Sequence, residues 1–230
     1  MMKIRAFYWL KEILFPRKCM LCRDFLPPEQ TDLCHKCRVE VEEYPFGALN
    51  PPPEAKNRLH FLDSFTAIWY YEGDVRKSIH RYKFQKALHL APKYGRLLAM
   101  RILKQGPAEF DVLTWVPVSW FRRLTRGYDQ SELLAKCVGS ELGIQPQRLL
   151  RKVRNTPPQS SLTKESERKA NVLGAFRIAG NAEIKGKRIL ILDDVFTTGA
   201  TSEECAKTLL LAGAKEVHCA AVTAVRYRKK

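Results

Sequence analysis

The 230-residue sequence predicts an α/β fold, a mostly parallel sheet flanked by helices, with a small four-cysteine metal module at its amino-terminal end. Three observations carry this. Apolar, β-branched runs alternate with helical patterns beyond residue 64. One of those runs is apolar on both faces and leads through two acids into a small-residue loop that opens a helix. Two Cys-x-x-C pairs stand close together before residue 40.

Three regions follow from the composition: an N-terminal helix and zinc finger over residues 1–43, a proline-rich linker over 44–63, and the α/β domain over 64–230. Ile4, Phe7, Tyr8, Ile13, Leu14 and Phe15 suit the buried stripe of a short helix, or loose docking on a partner or membrane surface. Pro45, Gly47 and Pro51 to Pro53 favour an extended spacer. The aromatic run Ser64 to Tyr71 reads as a strand, and helices are expected at Val75 to Phe84 and Ala91 to Lys104. Val112 to Val116 reads as a buried strand stopped by Pro117. Gln130 to Leu142 is a helix closed by Gly143, and Leu149 to Val153 and Ala175 to Ile178 are further strands. Asn155 to Ser161 holds too much turn chemistry to be anything but loop. Arg188 to Leu192 and Val217 to Thr223 are the clearest late strands, with a helix from Thr201 to Leu211 between them. Ligands of such sheets sit beyond the carboxyl ends of the strands.

The 40 Lys and Arg against 24 Asp and Glu leave a net charge of +16. Positive charge gathers around Arg122, Arg123 and Arg126, at Arg148 to Arg154, and at Arg226 to Lys230. Phosphate substrates or nucleic acid would be drawn to such a field, and solvated faces with a charged tail would also produce it. Lys11 and Glu12 interrupt the longest apolar stretch, so neither a membrane span nor a secretory signal is expected, and the cytoplasm is the expected location.

The stretch Arg188 to Thr201, RILILDDVFTTGAT, is the most informative. Ile189 to Leu192 deliver Asp193 and Asp194 to the ligand edge of the sheet. Thr197, Thr198, Gly199, Ala200 and Thr201 then turn the chain with little side-chain bulk, so that backbone N–H groups and the start of a helix can cradle a phosphate. Gly199 allows close approach. Carboxylates beside a phosphate nest conflict unless they face something else. Asp193 and Asp194 can accept from the 2- and 3-hydroxyls of a ribose whose 5-phosphate fills the nest, and can orient water on a Mg²⁺ held by substrate oxygens. A plain strand-to-helix turn is the unspecialised alternative.

Cys19, Cys22, Cys34 and Cys37 form two Cys-x-x-C units separated by eleven residues, and can close a tetrahedral Zn²⁺ site. An iron–sulfur cluster or a redox pair is the alternative. Four protein ligands leave no open position, so the expected role is to fold a segment of about 25 residues that lacks a core. Arg17, Lys18, Arg23, Lys36 and Arg38 beside it can meet DNA, or can be ordinary charged surroundings.

The segment LDDVFTTGAT resembles the 5-phosphoribosyl-1-pyrophosphate (PRPP) signature of type I phosphoribosyltransferases. The resemblance implies a phosphoribosyltransferase-like sheet, with Asp193 and Asp194 on the ribose hydroxyls and Thr197 through Thr201 on the 5-phosphate. VPVSWFRRLTRGYDQSELLA and RNTPPQSSLTKESERKANVLGAF narrow it: they are similar to stretches of the ComF competence family, GntX-like proteins included, although Asp129 stands where Asn is usual. Ser119, Arg122, Arg126, Lys164 and Arg168 are candidate pyrophosphate contacts.

The implied reaction is displacement of pyrophosphate from the anomeric carbon by an unidentified acceptor, with Mg²⁺ and basic donors stabilising the leaving group. Asp194 is the weak candidate for a catalytic base. Three readings stay open: a PRPP-using protein of natural competence, acting in DNA uptake; a non-catalytic PRPP-gated adaptor for single- or double-stranded DNA or other competence proteins; and a nucleobase-salvage transferase.

Overall fold

The computed structural model describes residues 16–48, 50, 52, 59–156 and 165–226, and only the backbone of Arg122, Arg126, Glu165, Arg168 and Lys169. The expected N-terminal stripe, much of the proline-rich stretch and loop residues 157–161 lie outside the described residues.

The strands are β1 (Ser64–Tyr70), β2 (Val112–Trp115), β3 (Leu150–Lys152), β4 (Phe176–Ile178), β5 (Arg188–Phe196) and β6 (Glu216–Ala224). β1, β6, β5 and β2 form one sheet in that order with every pairing parallel, while β3 and β4 make a separate antiparallel pair. The helices are α1 (His35–Glu40), α2 (Gly73–Phe84), α3 (Leu90–Gln105), α4 (Trp120–Arg126), α5 (Gln130–Leu142), α6 (Glu165–Val172) and α7 (Ala200–Leu211).

Two apolar clusters cover the two faces of the sheet, which is why its central strands read as unbroken apolar runs. Leu190 and Leu192 of β5 and Val222 of β6 join Ile79 and Tyr82 of α2, Leu98 of α3 and Leu134 of α5. Ile189 and Ile191 of β5 face the other way, toward Cys205 and Leu209 of α7 and Phe176 of β4. Helices α3 and α5 touch closely at Gly95, where a Cβ would stand 2.4 Å from that of Cys137.

Two differences from the sequence reading bear on the ligand edge. β5 runs to Phe196, so both acids lie within the strand, because β6 continues to pair with it as far as Ala224. α4 has no expected counterpart: Trp120, Phe121 and Leu124 are all exposed, and no buried stripe announces the helix.

The cysteine module shares the core of the α/β domain, which corrects the expectation of a segment that lacks a core. Met20, Leu21 and Leu26 are buried in the cluster that contains α2 and α3. Arg81 of α2 donates to the carbonyls of Met20 and Leu21 at 2.9 and 2.7 Å, and Ser78 donates to that of Met20. Asp32 takes ion pairs from Lys93 and Arg96 of α3. Beyond the module, Tyr44 N–H donates to Ile68 O at 2.9 Å and Thr66 Oγ1 to Phe46 O at 3.1 Å, so this stretch runs along β1.

Candidate functional site

The carboxyl ends of the four parallel strands meet at one edge. Val116 N–H donates to Leu192 O, Val225 N–H to Phe196 O and Tyr71 N–H to Ala224 O, which aligns the ends of β2, β5, β6 and β1. Along this edge the chain leaves β5 through Thr197 and Thr198 and enters α7 at Ala200.

The turn depends on Gly199, which caps α7 with φ +78°, a left-handed conformation costly for other residues. Space forbids a side chain as well, since a Cβ there would stand 2.7 Å from Phe196 Cζ. Phe196 is itself stacked on Phe65 with centroids 3.7 Å apart, so the floor of the turn is rigid. Thr197, Thr198 and Thr201 are half-buried, and Ala200 N–H donates to Thr198 Oγ1 at 3.4 Å. A left-handed residue followed directly by a helix start makes a concavity of main-chain N–H groups suited to an anion.

Asp193 and Asp194 alternate along β5, as the period of a strand requires. Asp194 shares the face of Leu190 and Leu192, is 5% exposed, and pairs with Lys83 Nζ of α2 at 2.8 Å. Asp193 accepts from Asp194 N–H at 2.8 Å. Burial, and then the carboxylate of Asp194, push the Asp193 carboxyl well above its ordinary pKa, against the pull of Lys83 and that N–H.

Lys83 is the site residue that sequence reasoning missed. It sits on the apolar stripe of α2, four residues after Ile79 and eight after Val75, and a lysine in that register was the available signal. Its backbone is fixed from outside the helix: Tyr128 OH donates to Tyr82 O, and Tyr82 OH donates to Gln130 O at 2.7 Å. Asp129, between those partners, caps α5 by accepting from Glu132 N–H at 3.0 Å and also accepts from Val118 N–H at 3.3 Å. The two bonds use different oxygens, Oδ2 and Oδ1, so the aspartate that stands here accepts both, where an asparagine would offer a single accepting oxygen.

Of the candidate pyrophosphate contacts, Ser119 is buried beside the end of β2, and its carbonyl accepts from Arg123 N–H at 3.0 Å at the start of α4. Arg122 and Arg126 belong to α4 and Arg168 to α6, with side chains outside the described residues; Lys164 lies outside them altogether. A second missed residue is Glu203 in the first turn of α7. Its carboxylate accepts from the N–H groups of His60, Phe61 and Leu62 at 2.8, 3.1 and 3.0 Å, pinning α7 to the segment that enters β1.

The cysteine module brings Cys19, Cys22, Cys34 and Cys37 together with all four sulfurs within 4.8 Å of one another. Tetrahedral metal–thiolate bonds of about 2.3 Å require sulfurs about 3.8 Å apart, so the four can hold a metal ion. Cys34 Sγ also accepts from Cys37 N–H at 3.4 Å, and Arg23 N–H donates to Cys19 O at 3.0 Å to close the first knuckle.

A family model described as the phosphoribosyl transferase domain matches residues 130–230, which contain α5, β5, the Gly199 turn and α7. Competence protein F of Haemophilus influenzae is 25% identical over 225 residues, covering 88% of this chain and 95% of that protein. DNA utilization protein YhgH of Escherichia coli K12 is 30% identical over 207 residues, 86% of each chain. Competence protein ComFC of Streptococcus pneumoniae is 34% identical over 155 residues, covering 67% of this chain and 65% of that protein.

Proposed function

Since the chain belongs to the ComF competence family and carries a phosphoribosyl transferase domain, we propose that its β5–α7 turn binds PRPP during DNA uptake or utilisation. The observation that carries this reading is the Gly199 turn, seated on Phe196 and five residues beyond two adjacent carboxylates of β5. The 5-phosphate sits on the N–H groups of Thr197 through Thr201, and the ribose hydroxyls donate to Asp193 and Asp194.

Mg²⁺ would act as a partner of the substrate's own oxygens, neutralising pyrophosphate charge, and Asp193 would be the carboxylate left to orient its water because Lys83 already engages Asp194. That same pairing argues against Asp194 as a general base, since Lys83 Nζ already occupies its carboxylate at 2.8 Å. It favours PRPP as a bound, conformation-setting ligand over rapid turnover. The four-cysteine cluster takes zinc in a closed, structural role.

Calorimetric titration of PRPP with Mg²⁺ tests the assignment. The wild type is expected to bind, and Asp193→Asn/Asp194→Asn to lose about tenfold or more in affinity, the scale of charge-assisted hydrogen bonds to two hydroxyls. Undiminished binding by the double variant rejects the assignment.

A further inference from the structure

Lys83 stands where an apolar residue packs best. Val75 and Ile79, eight and four residues before it on α2, are 2% and 0% exposed and belong to the core cluster on this face of the sheet. A lysine in that stripe buries its stem and keeps its ammonium near water, and the side chain is 22% exposed. The ammonium meets Asp194 Oδ1 at 2.8 Å, and the side chain of Asp194 is 7% exposed. Neither group has another ion pair among the described residues.

Asp193 is partly engaged as well. Its Oδ1 accepts from Asp194 N–H at 2.8 Å, so each carboxylate has one oxygen committed within the protein. Adjacent carboxylates at a sheet edge are the hard oxygen donors that Mg²⁺ and Mn²⁺ select. Lysine supplies positive charge in that place without the near-octahedral shell of ligands such an ion demands. The charge is also tethered, since Tyr128 OH donates to Tyr82 O and Tyr82 OH to Gln130 O at the end of α2. A divalent ion arriving alone meets a carboxylate oxygen already taken and a like charge beside it.

We propose that Lys83 is a built-in counter-cation that keeps free divalent metal off Asp193 and Asp194, so that the ion reaches this edge only in complex with a phosphate-bearing ligand. Such a ligand brings oxygens of its own for the ion and offers the ammonium a second anion. Exclusion of the bare metal needs only Lys83 and the two acids. Entry of the complex rests on the PRPP reading above. Lys83 thus selects what the edge accepts: a metal bound to pyrophosphate, and not the metal alone.

Electron paramagnetic resonance of Mn²⁺ titrated, without PRPP, into the full-length chain tests this. Lys83→Met keeps the length of the stem and the helix propensity while removing the charge. It is expected to bind Mn²⁺ at least about tenfold more tightly than the wild type, the like charge being gone. Lys83→Arg retains the charge and is expected to match the wild type, and Lys83→Met/Asp194→Asn is expected to lose the gain. Because Asp194 is left unpaired in Lys83→Met, thermal denaturation gives a second readout: Mn²⁺ should raise the Tm of this variant and leave the wild type and the double variant unmoved. Equal Mn²⁺ affinity and equal Tm response in wild type and Lys83→Met overturn the proposal, as does a Mn²⁺ site in the wild type that Asp194→Asn abolishes. Calorimetry of PRPP on the wild type, with and without Mg²⁺, separates the two readings. Tighter binding with the ion is expected, and equally tight binding without it overturns entry of the metal as a complex. A wild type that binds no PRPP in either condition sinks the PRPP reading, while a Mn²⁺ gain in Lys83→Met still upholds the exclusion.

Discussion

Asp193 and Asp194 are adjacent, yet their surroundings differ in a way that determines their roles. Lys83 compensates Asp194, whereas Asp193 is left with burial and a like charge beside it. The folded chain therefore binds a proton at Asp193 more readily than the unfolded chain does. Stability from this group is complete below the ordinary aspartate range and is lost as pH rises through the elevated value. Asp193→Asn removes that loss. Its Tm should exceed that of the wild type by about 3 °C near pH 8, with the gap closing toward about pH 4, in thermal denaturation across that range. A constant gap, or a lower Tm at every pH, contradicts the strain assigned to Asp193. The same variant should bind PRPP less tightly, a trade of binding against stability typical of functional sites. The acids, the threonines and Gly199 were legible because their chemistry is local: ten consecutive residues hold strand, acids and turn. Lys83 was not, since its partner is 111 positions away and only folding joins them.

Elements were legible where one face is apolar and the ends are marked. β5 and α7 met both conditions, and the Gly143 stop of α5 was read correctly because it takes the left-handed φ of 68°. α4 met neither, as its Trp120, Phe121 and Leu124 face solvent. The end of β5 was misplaced because two aspartates suppress strand propensity, while the ladder to β6 overrides it. What a pattern cannot supply is the tie between elements. Glu203 gathers three main-chain N–H groups of residues 60–62 and holds the first turn of α7, next to the Gly199 turn. Glutamine offers one accepting oxygen and turns an NH₂ toward a donor, so Glu203→Gln should lower stability by roughly 1–3 kcal/mol. In a chain of this size that is a fall in Tm of about 5 °C. PRPP affinity should fall with it, since the loosened turn is the proposed phosphate cradle. A Tm within a degree or so of wild type would mean that the apolar packing of Leu209 and Cys205 alone seats α7.

At the scale of the whole molecule, the cysteine module and the nucleotide-type sheet share a core, and the helix between them carries both attachments. On one side Ser78 and Arg81 of α2 grip the main chain of Met20 and Leu21. On the other, two residues beyond Arg81, Lys83 reaches Asp194 at the ligand edge. The four-cysteine cluster was evident from its spacing, but this coupling was not, because it needs the burial of Met20 and Leu21 under a helix some 60 residues away. On the proposed zinc reading, the module has a consequence at a distance: loss of the ion would free the loop that α2 grips and slacken the helix that presents Lys83. Cys34→Ser/Cys37→Ser should lower measured zinc from about one ion per chain toward none and lower Tm by about 5 °C or more. It should also weaken PRPP binding several-fold, although no cysteine touches that site. Lys83→Ala separates the effects: it should weaken PRPP binding with zinc content unchanged. If the zinc-free variant instead binds PRPP as tightly as wild type, the Tyr82 and Tyr128 contacts alone set the end of α2, and the two halves of the molecule act independently.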